Sequence, residues 1–206
     1  MMVVGKDRLS GDPVHIDDVE RGKYSSAACF DCQDYLVAKK GNRVASHFAH
    51  RSRDSDCQGE SGLHRLAKHI LSKEKSICLR HYPERDKHFT YKFNHAYVEY
   101  KIENYRVDCF LRDEELPPLA VEIKVTHPVD DEKIMMFRRN KIAAIEIDLS
   151  SIDRLASKQE IKTAVCQHHC NVSWLYSEKI DQHNKKRRDQ IYKETGHYIE
   201  LPKGIE

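Results

Sequence analysis

Two apolar stretches of the sequence contain ionisable residues suited to binding a divalent cation. Residues 107–111 are apolar except for Asp108, and residues 119–125 are apolar except for Glu122 and Lys124. Because a charge is costly to bury, such residues need a partner. Mg²⁺ and Mn²⁺ prefer oxygen ligands, and a bound cation polarises a phosphoryl oxygen and lowers the pKa of a bound water. The three residues therefore predict a centre for hydrolysis at phosphorus.

The spacing of these residues predicts how they would act together. Glu122 and Lys124 are two residues apart, so in a strand their side chains share one face, about 7 Å apart. A facing strand would bring Asp108 alongside them. We expect Asp108 and Glu122 to bind Mg²⁺ or Mn²⁺, and Lys124 to position or activate the attacking water. A buried ion pair between two strands is the alternative interpretation.

A helix predicted at residues 60–75 supplies further candidates. Glu60, His64 and Lys68 are spaced by four residues, which places them on one flank of this helix. Glu60 falls at the edge of the apolar stripe and is expected to point at the sheet, where it would support the cation or Lys124. Glu60 and His64 are therefore candidate catalytic residues. The alternative is an acid favoured at a helix start, with an ordinary Glu–His pair.

A cluster of cysteines and histidines precedes this helix. Cys29 and Cys32 form a C-x-x-C pair, and His47, His50 and Cys57 follow. Zinc usually takes four such ligands in a tetrahedron. In an extended strand His47 and His50 would face opposite sides, so we predict that Cys29, Cys32, His50 and Cys57 bind zinc. A set with His47 in place of Cys57 is one alternative, and buried cysteines beside surface histidines are another.

The hydrophobic pattern predicts an α/β fold with a mixed central sheet flanked by helices. Helices are predicted at residues 60–75, 130–140, 153–164 and 177–195. Strands are predicted at residues 89–93 or 97–102, and at 105–111, 119–125, 143–149 and 172–175. We expect a small N-terminal Cys/His zinc-ribbon-like module at residues 1–58. A nuclease-like domain with a basic C-terminal helix is expected at residues 59–206.

Composition excludes some classes of protein and leaves others open. The net charge of +2 does not by itself point to nucleic acid. The chain lacks a run of about 18 apolar residues, so we expect no membrane span. The N-terminus lacks the apolar region of a signal peptide, and the C-x-x-C pair lies near histidines. We therefore expect a reducing, cytoplasmic location.

Several of these segments resemble a known family. The stretches CFDC, KKGNRVASHFAH and ESGLHRLAK, followed by RVDCFL and VEIKVTHPVDDEK, resemble the competence protein CoiA-like family over roughly residues 25–150. This family is a branch of the PD-(D/E)XK nuclease superfamily. The resemblance implies a restriction-endonuclease-like core that acts on DNA, preceded by a zinc-binding-like segment.

The resemblance also implies roles for individual residues. It supports Asp108 and Glu122 as metal ligands, Lys124 as the catalytic lysine and Glu60 as the helix acid. His64 and, beyond it, Lys68 match the rest of the helix motif. The leading hypothesis is a metal-dependent DNA nuclease. Other hypotheses are a catalytically retired module that binds nucleic acid or protein, and an RNA nuclease. We also consider a homodimer, and a protein partner in a DNA-processing or defence system.

Overall fold

The N-terminal part of the protein is built from short antiparallel strands. The computed structural model describes residues 2–22, 26–51, 57, 60–82 and 87–197. The strands in this part are β1 (Val4–Asp7), β2 (Pro13–His15), β3 (Ala27–Ala28), β4 (Leu36–Lys39) and β5 (His47–His50). The first three form a sheet in the order β2-β1-β3, and β4 and β5 pair as a separate antiparallel hairpin. A bridge between Met2 and Phe48 joins the two groups.

The rest of the chain forms a central sheet and its helices. Its elements are α1 (Glu60–Lys73), β6 (Ser76–Arg80), β7 (His88–Lys92), β8 (His95–Ile102), β9 (Tyr105–Arg112), β10 (Leu119–Lys124), α2 (Asp131–Arg139), β11 (Ala143–Asp148), α3 (Lys158–Cys166), β12 (Val172–Tyr176) and α4 (Glu178–Thr195). Strands β6 and β7 pair with each other. The other strands form a five-stranded sheet in the order β12-β11-β10-β9-β8.

The central sheet is mixed. The pairs β8–β9, β9–β10 and β11–β12 are antiparallel. Strands β10 and β11 are parallel, and α2 connects them. Parallel neighbours need such a crossover, because the chain must return from the end of the first strand to the opposite end of the sheet before the second strand begins. The prediction of an α/β fold with a mixed sheet flanked by helices is confirmed.

Local sequence signals explain where the structure departs from the predicted elements. Helix α3 begins at Lys158, not at residue 153, because the Ser157 hydroxyl caps Glu160 N–H and the Glu160 carboxylate accepts from Ser157 N–H. This reciprocal capping box fixes the start of a helix. The two alternatives at residues 89–93 and 97–102 both occur, as β7 and β8. Strand β6 was not predicted.

Helix α1 packs between the N-terminal strands and the central sheet. One buried cluster contains Phe48 of β5, Leu66 of α1 and Val121 of β10. At Gly62 an added Cβ would lie 3.1 Å from the carbonyl oxygen of Val4, so α1 approaches the backbone of β1 closely. The opposite face of the sheet packs against Phe137 of α2. The boundary at residues 58 and 59 stays a prediction, but the buried cluster is continuous across it.

Long-range contacts also tie the N-terminal strands to the second half of the chain. The His15 ring Nε2 lies 3.0 Å from the carbonyl oxygen of Ala156, 141 residues away. Lys158 Nζ lies 2.7 Å from the Asp18 carboxylate. Helix α4 is mostly exposed and buries Ile180. Within the part of the chain that the structure describes, none of the helices has the length and apolar content to cross a bilayer.

The shared core predicts that the N-terminal strands and the central sheet unfold together. Phe48 is 1% exposed, so Phe48→Ala should lower the free energy of unfolding by about 3–5 kcal/mol. The single tryptophan, Trp174 on β12, reports on the central sheet. Urea unfolding followed by Trp174 fluorescence should shift to lower urea. Phe89→Ala, at a side chain that is 39% exposed, is the matched control. An unchanged Trp174 transition in Phe48→Ala would indicate two independent domains.

Candidate functional site

The carboxylate of Asp108 joins three elements of the fold. Its Oδ2 accepts a hydrogen bond from the backbone N–H of Ile123 on β10, at 2.9 Å. The same oxygen lies 2.9 Å from His64 Nε2 on α1, and Lys68 Nζ lies 3.4 Å from Oδ1. Asp108 therefore fixes α1 to the two strands that carry the predicted metal ligands. His64 contacts Asp108, as its place on the predicted helix flank allows.

Lys68 is buried and has a second carboxylate partner, Glu99 of β8. Lys68 is 6% exposed, and its ammonium pairs with both Glu99 and Asp108. Glu99 has a φ of 55°, in the left-handed region that non-glycine residues rarely adopt. Such strain persists only where the surroundings enforce it, and it concentrates at functional sites. Sequence reasoning missed Glu99, because nothing in its own strand distinguishes it from a solvent-exposed acid.

The pKa of Asp108 lies below its ordinary value, although burial acts in the opposite direction. Burial disfavours the charged carboxylate, but the hydrogen bond and charge of His64, the N–H of Ile123 and the charge of Lys68 together outweigh it. Asp108 is therefore ionised near neutral pH. An ionised carboxylate is the form that binds a cation.

Glu122 lies in a more apolar environment. It is 4% exposed, and its Oε1 lies 2.7 Å from Lys133 Nζ on α2. Burial raises the pKa of Glu122 to about 7, with the negative charge of Asp108 adding to it and the charge of Lys133 opposing it. Lys133 also donates to the carbonyl oxygen of Arg106, at 2.7 Å. Glu122 thus changes its charge near neutral pH.

Lys124 pairs with a carboxylate of the neighbouring parallel strand. Its Nζ lies 2.6 Å from Asp148 Oδ2, and the two residues are Cα partners of β10 and β11. Burial opposes ionisation of Asp148, but hydrogen bonds from Lys124 and Ser150 hold the pKa of this carboxyl below its ordinary value. Lys124 is 25% exposed, so its ammonium can reach a ligand at the surface. Asp148 is a second residue that sequence reasoning missed.

The predicted catalytic residues lie on adjacent strands, but their side chains reach different elements. Asp108 reaches α1, Glu122 reaches α2 and Lys124 reaches β11. The charge of Asp108 acts on Glu122, so the two carboxylates are electrostatic neighbours. Helix α1 begins at Glu60, whose side chain lies outside the described residues. A cation held by two carboxylates would keep several waters, as Mg²⁺ usually does.

The Cys/His residues form a second site, in the N-terminal part. Ligand atoms of Cys29, Cys32, His50 and Cys57 all lie within 4.8 Å of one another. This is the set that sequence spacing favours. The ring of His47 instead has its Nδ1 2.8 Å from the carbonyl oxygen of Ala45, and it lies outside this group. Three thiols and one imidazole are a ligand set that suits zinc.

The turn between Cys29 and Cys32 has the geometry of a metal-binding knuckle. The backbone N–H of Asp31 donates to the sulfur of Cys29 at 3.4 Å, and the N–H of Gln33 donates to the carbonyl of Cys29 at 3.1 Å. Gln33 has a φ of 62°, which turns the chain back sharply after Cys32. Hydrogen bonds of this kind orient a ligand and stabilise its charged form.

Within the described residues, one donor atom of this group lacks the hydrogen bond that would satisfy it without a metal. The Nε2 of His50 is buried and has no hydrogen-bond partner among the described residues. Such an atom is costly to bury unless something binds it. Burial and the thiols of Cys32 and Cys29 raise the pKa of Cys57 to about 12. The four residues could therefore hold a zinc ion, which would crosslink β5 to the knuckle.

Comparisons with known proteins identify no relative of this chain. No family model, no curated protein and no solved structure matches it. The resemblance to the CoiA-like family and the roles that it implies therefore stay predictions.

The Cys/His site predicts that the purified protein contains about one zinc ion per chain. His50→Ala should lose this zinc, because it removes one of four ligands. His47→Ala is the matched control and should retain it, since His47 lies outside the group. Zinc is measured by elemental analysis of protein purified without added metal. Equal zinc content in both variants would contradict the assignment of His50.

The raised pKa of Glu122 predicts a pH-dependent stability. Since the folded state holds this proton more tightly than the unfolded state, stability is lost as pH rises from about 4.5 to about 7. Glu122→Gln cannot ionise, so relative to the parent it should gain about 2 kcal/mol between pH 5 and pH 8. Urea unfolding at both pH values measures this. The exposed Glu114→Gln is the control. A pH-independent difference in Glu122→Gln would contradict the raised pKa.

Proposed function

We propose that the protein is a metal-dependent nuclease that hydrolyses phosphodiester bonds in DNA. The observation that carries the proposal is the pair Asp108 and Glu122 on adjacent strands, with Lys124 two residues beyond Glu122 on the same strand. Apolar strands seldom hold three ionisable residues so close together without a chemical use. We also propose that the mixed sheet has the restriction-endonuclease-like form.

The proposed mechanism assigns a task to each residue. A divalent cation held by Asp108 and Glu122 would polarise a phosphoryl oxygen and lower the pKa of a bound water. Lys124 orients that water for in-line attack at phosphorus and keeps its position through Asp148. His64 and the N–H of Ile123 hold the carboxylate of Asp108 in place. Glu122 would have to be deprotonated to hold the cation, and its pKa of about 7 allows this near neutral pH.

Positive side chains already neutralise the proposed ligands. Lys133 lies against Glu122, and Lys68 lies against Asp108. If Asp108 and Glu122 held a cation, its charge would replace part of the charge that Lys133 and Lys68 supply. Lys133 is 15% exposed and stands on the surface helix α2, where it can turn toward a phosphate after it leaves Glu122.

The same ion pairs favour a second candidate function. Lysines of the same chain already balance the charge of these carboxylates, so the site does not need a cation for charge neutrality. A binding module that keeps the fold but no longer cuts would have this property. Titration calorimetry with Mg²⁺ separates the two functions, because the nuclease must bind the cation and the retired module does not.

The proposed nuclease predicts metal-dependent cleavage that requires Lys124. Linear, circular and single-stranded DNA, and RNA, are incubated with Mg²⁺, Mn²⁺ or EDTA. The parent should cut DNA with either metal and not in EDTA. Lys124→Ala should lose at least about 100-fold in rate, because the attacking water is no longer held. Lys92→Ala, at an exposed lysine of β7, is the matched control and should keep the parental rate.

Four results would contradict this mechanism. If Lys124→Ala cleaved DNA at the parental rate, Lys124 would have no role in the reaction. Cleavage in EDTA would show that the reaction needs no divalent cation. Cleavage of RNA but not of DNA would show that RNA is the substrate. Absence of both cutting and Mg²⁺ binding would favour the binding module.

A further inference from the structure

A wide groove lies along the tip of the β4–β5 hairpin. It is open to solvent and has a volume of about 1160 Å³. It is lined by Arg21, Gly22 and every residue from Val37 to His47. The residues after β4 and before β5 therefore form its wall, and Arg21 closes it from the side. The groove takes no part in the contacts of Asp108, Glu122 and Lys124 described above.

The ionisable side chains that line this groove are all basic. It contains Arg21, Lys39, Lys40, Arg43 and His47, and it contains no carboxylate. Lys40 Nζ donates to the carbonyl oxygen of Asp17, at 3.2 Å. Arg21, Lys39 and Arg43 are exposed, and among the described residues no carboxylate pairs with them. Positive charges gathered in one groove repel each other, and a bound anion relieves that repulsion.

Backbone geometry brings these charges together. Gly22 has a φ of 146° and pairs with Ala38 as an isolated bridge, which places Arg21 beside β4. Lys39 and His47 are Cα partners at the end of the hairpin. The opposite end of the hairpin pairs Leu36 with His50, a member of the Cys/His group. A metal in that group would hold the base of the hairpin, and the charges would lie at its tip.

We propose that this groove binds the phosphodiester backbone of DNA, as a docking site distinct from the catalytic residues. The proposal rests on the proposed function, which makes DNA the substrate. The basic groups extend over a whole hairpin end and not around one point, so they suit an extended polyanion better than a single phosphate. Basic grooves of this kind track nucleic-acid backbones. A lipid surface fits less well, because Val44 is the single large apolar side chain exposed in the lining.

The test measures binding without cleavage. Fluorescence anisotropy of a labelled DNA duplex in EDTA gives the dissociation constant of the full-length protein over a range of salt concentrations. Lys39→Glu/Arg43→Glu should weaken binding at least about 10-fold at low salt. It should also reduce the slope of log affinity against log salt by about 2, because two phosphate contacts are lost. Lys92→Glu/Arg154→Glu changes two exposed residues by the same charge and should bind like the parent.

This test distinguishes DNA binding by the groove from DNA cleavage by the proposed nuclease site. Parental binding by Lys39→Glu/Arg43→Glu would overturn the proposal, whether or not the protein cuts DNA. Equal weakening in both double variants would also overturn it, since any basic residue would then serve. Binding by the parent to vesicles rich in anionic lipid but not to DNA would overturn it in favour of a membrane surface. Groove-dependent binding without cleavage would support the groove and contradict the nuclease.

Zinc content and circular dichroism show whether the hairpin variant is folded. Both substituted residues are exposed, so the variant should keep the parental spectrum and metal content. If it does not, the milder Lys39→Gln/Arg43→Gln replaces it in the same assay. Its slope should fall by the same amount, because the same two charges are removed. An unchanged slope in this folded variant would overturn the proposal.

Discussion

The ammonium group of Lys68 is buried, and it has to be neutralised where it lies. Asp108 and Glu99 do this from two different strands, and His64 shares the carboxylate of Asp108. Breaking a buried ion pair costs about 3–5 kcal/mol when the remaining charge has no partner, and for Lys68 this would require the loss of both carboxylates. Buried apolar residues such as Leu66 pack α1 against the sheet, and these ion pairs fix its polar flank to β8 and β9.

Charge neutralisation also sets the chemistry that the site can perform. Two carboxylates at the junction of β9 and β10 would repel each other if neither had a partner. Lys133 reduces the cost of ionising Glu122, and it does so from a helix that belongs to the crossover between parallel strands. The lysines that neutralise these carboxylates would therefore compete with any cation that the carboxylates bound. Affinity for a cation and stability without it are opposed in this arrangement.

Much of the fold could be predicted because the signals for it are local. Short apolar runs located β9 and β10, and the apolar stripe located α1. Spacing alone separated His50 from His47 within a four-residue strand. Glu99 and Asp148 could not be predicted, since each acts through a residue that is distant in sequence: Lys68 lies 31 residues from Glu99, and Lys124 lies 24 from Asp148. The hydrophobic pattern of β8 does not distinguish Glu99, and that of β11 does not distinguish Asp148.

The contact between His15 and Ala156 has a consequence for how the chain is made. A ribosome delivers β1 and β2 long before it delivers the loop against which His15 packs, 141 residues later. Domains generally fold in order from the N-terminus during synthesis. Here the first strands cannot finish packing until α3 is about to emerge. The N-terminal strands therefore lack one of their long-range contacts during most of this synthesis, whereas Cys29, Cys32, His50 and Cys57 are all available to bind a metal much earlier.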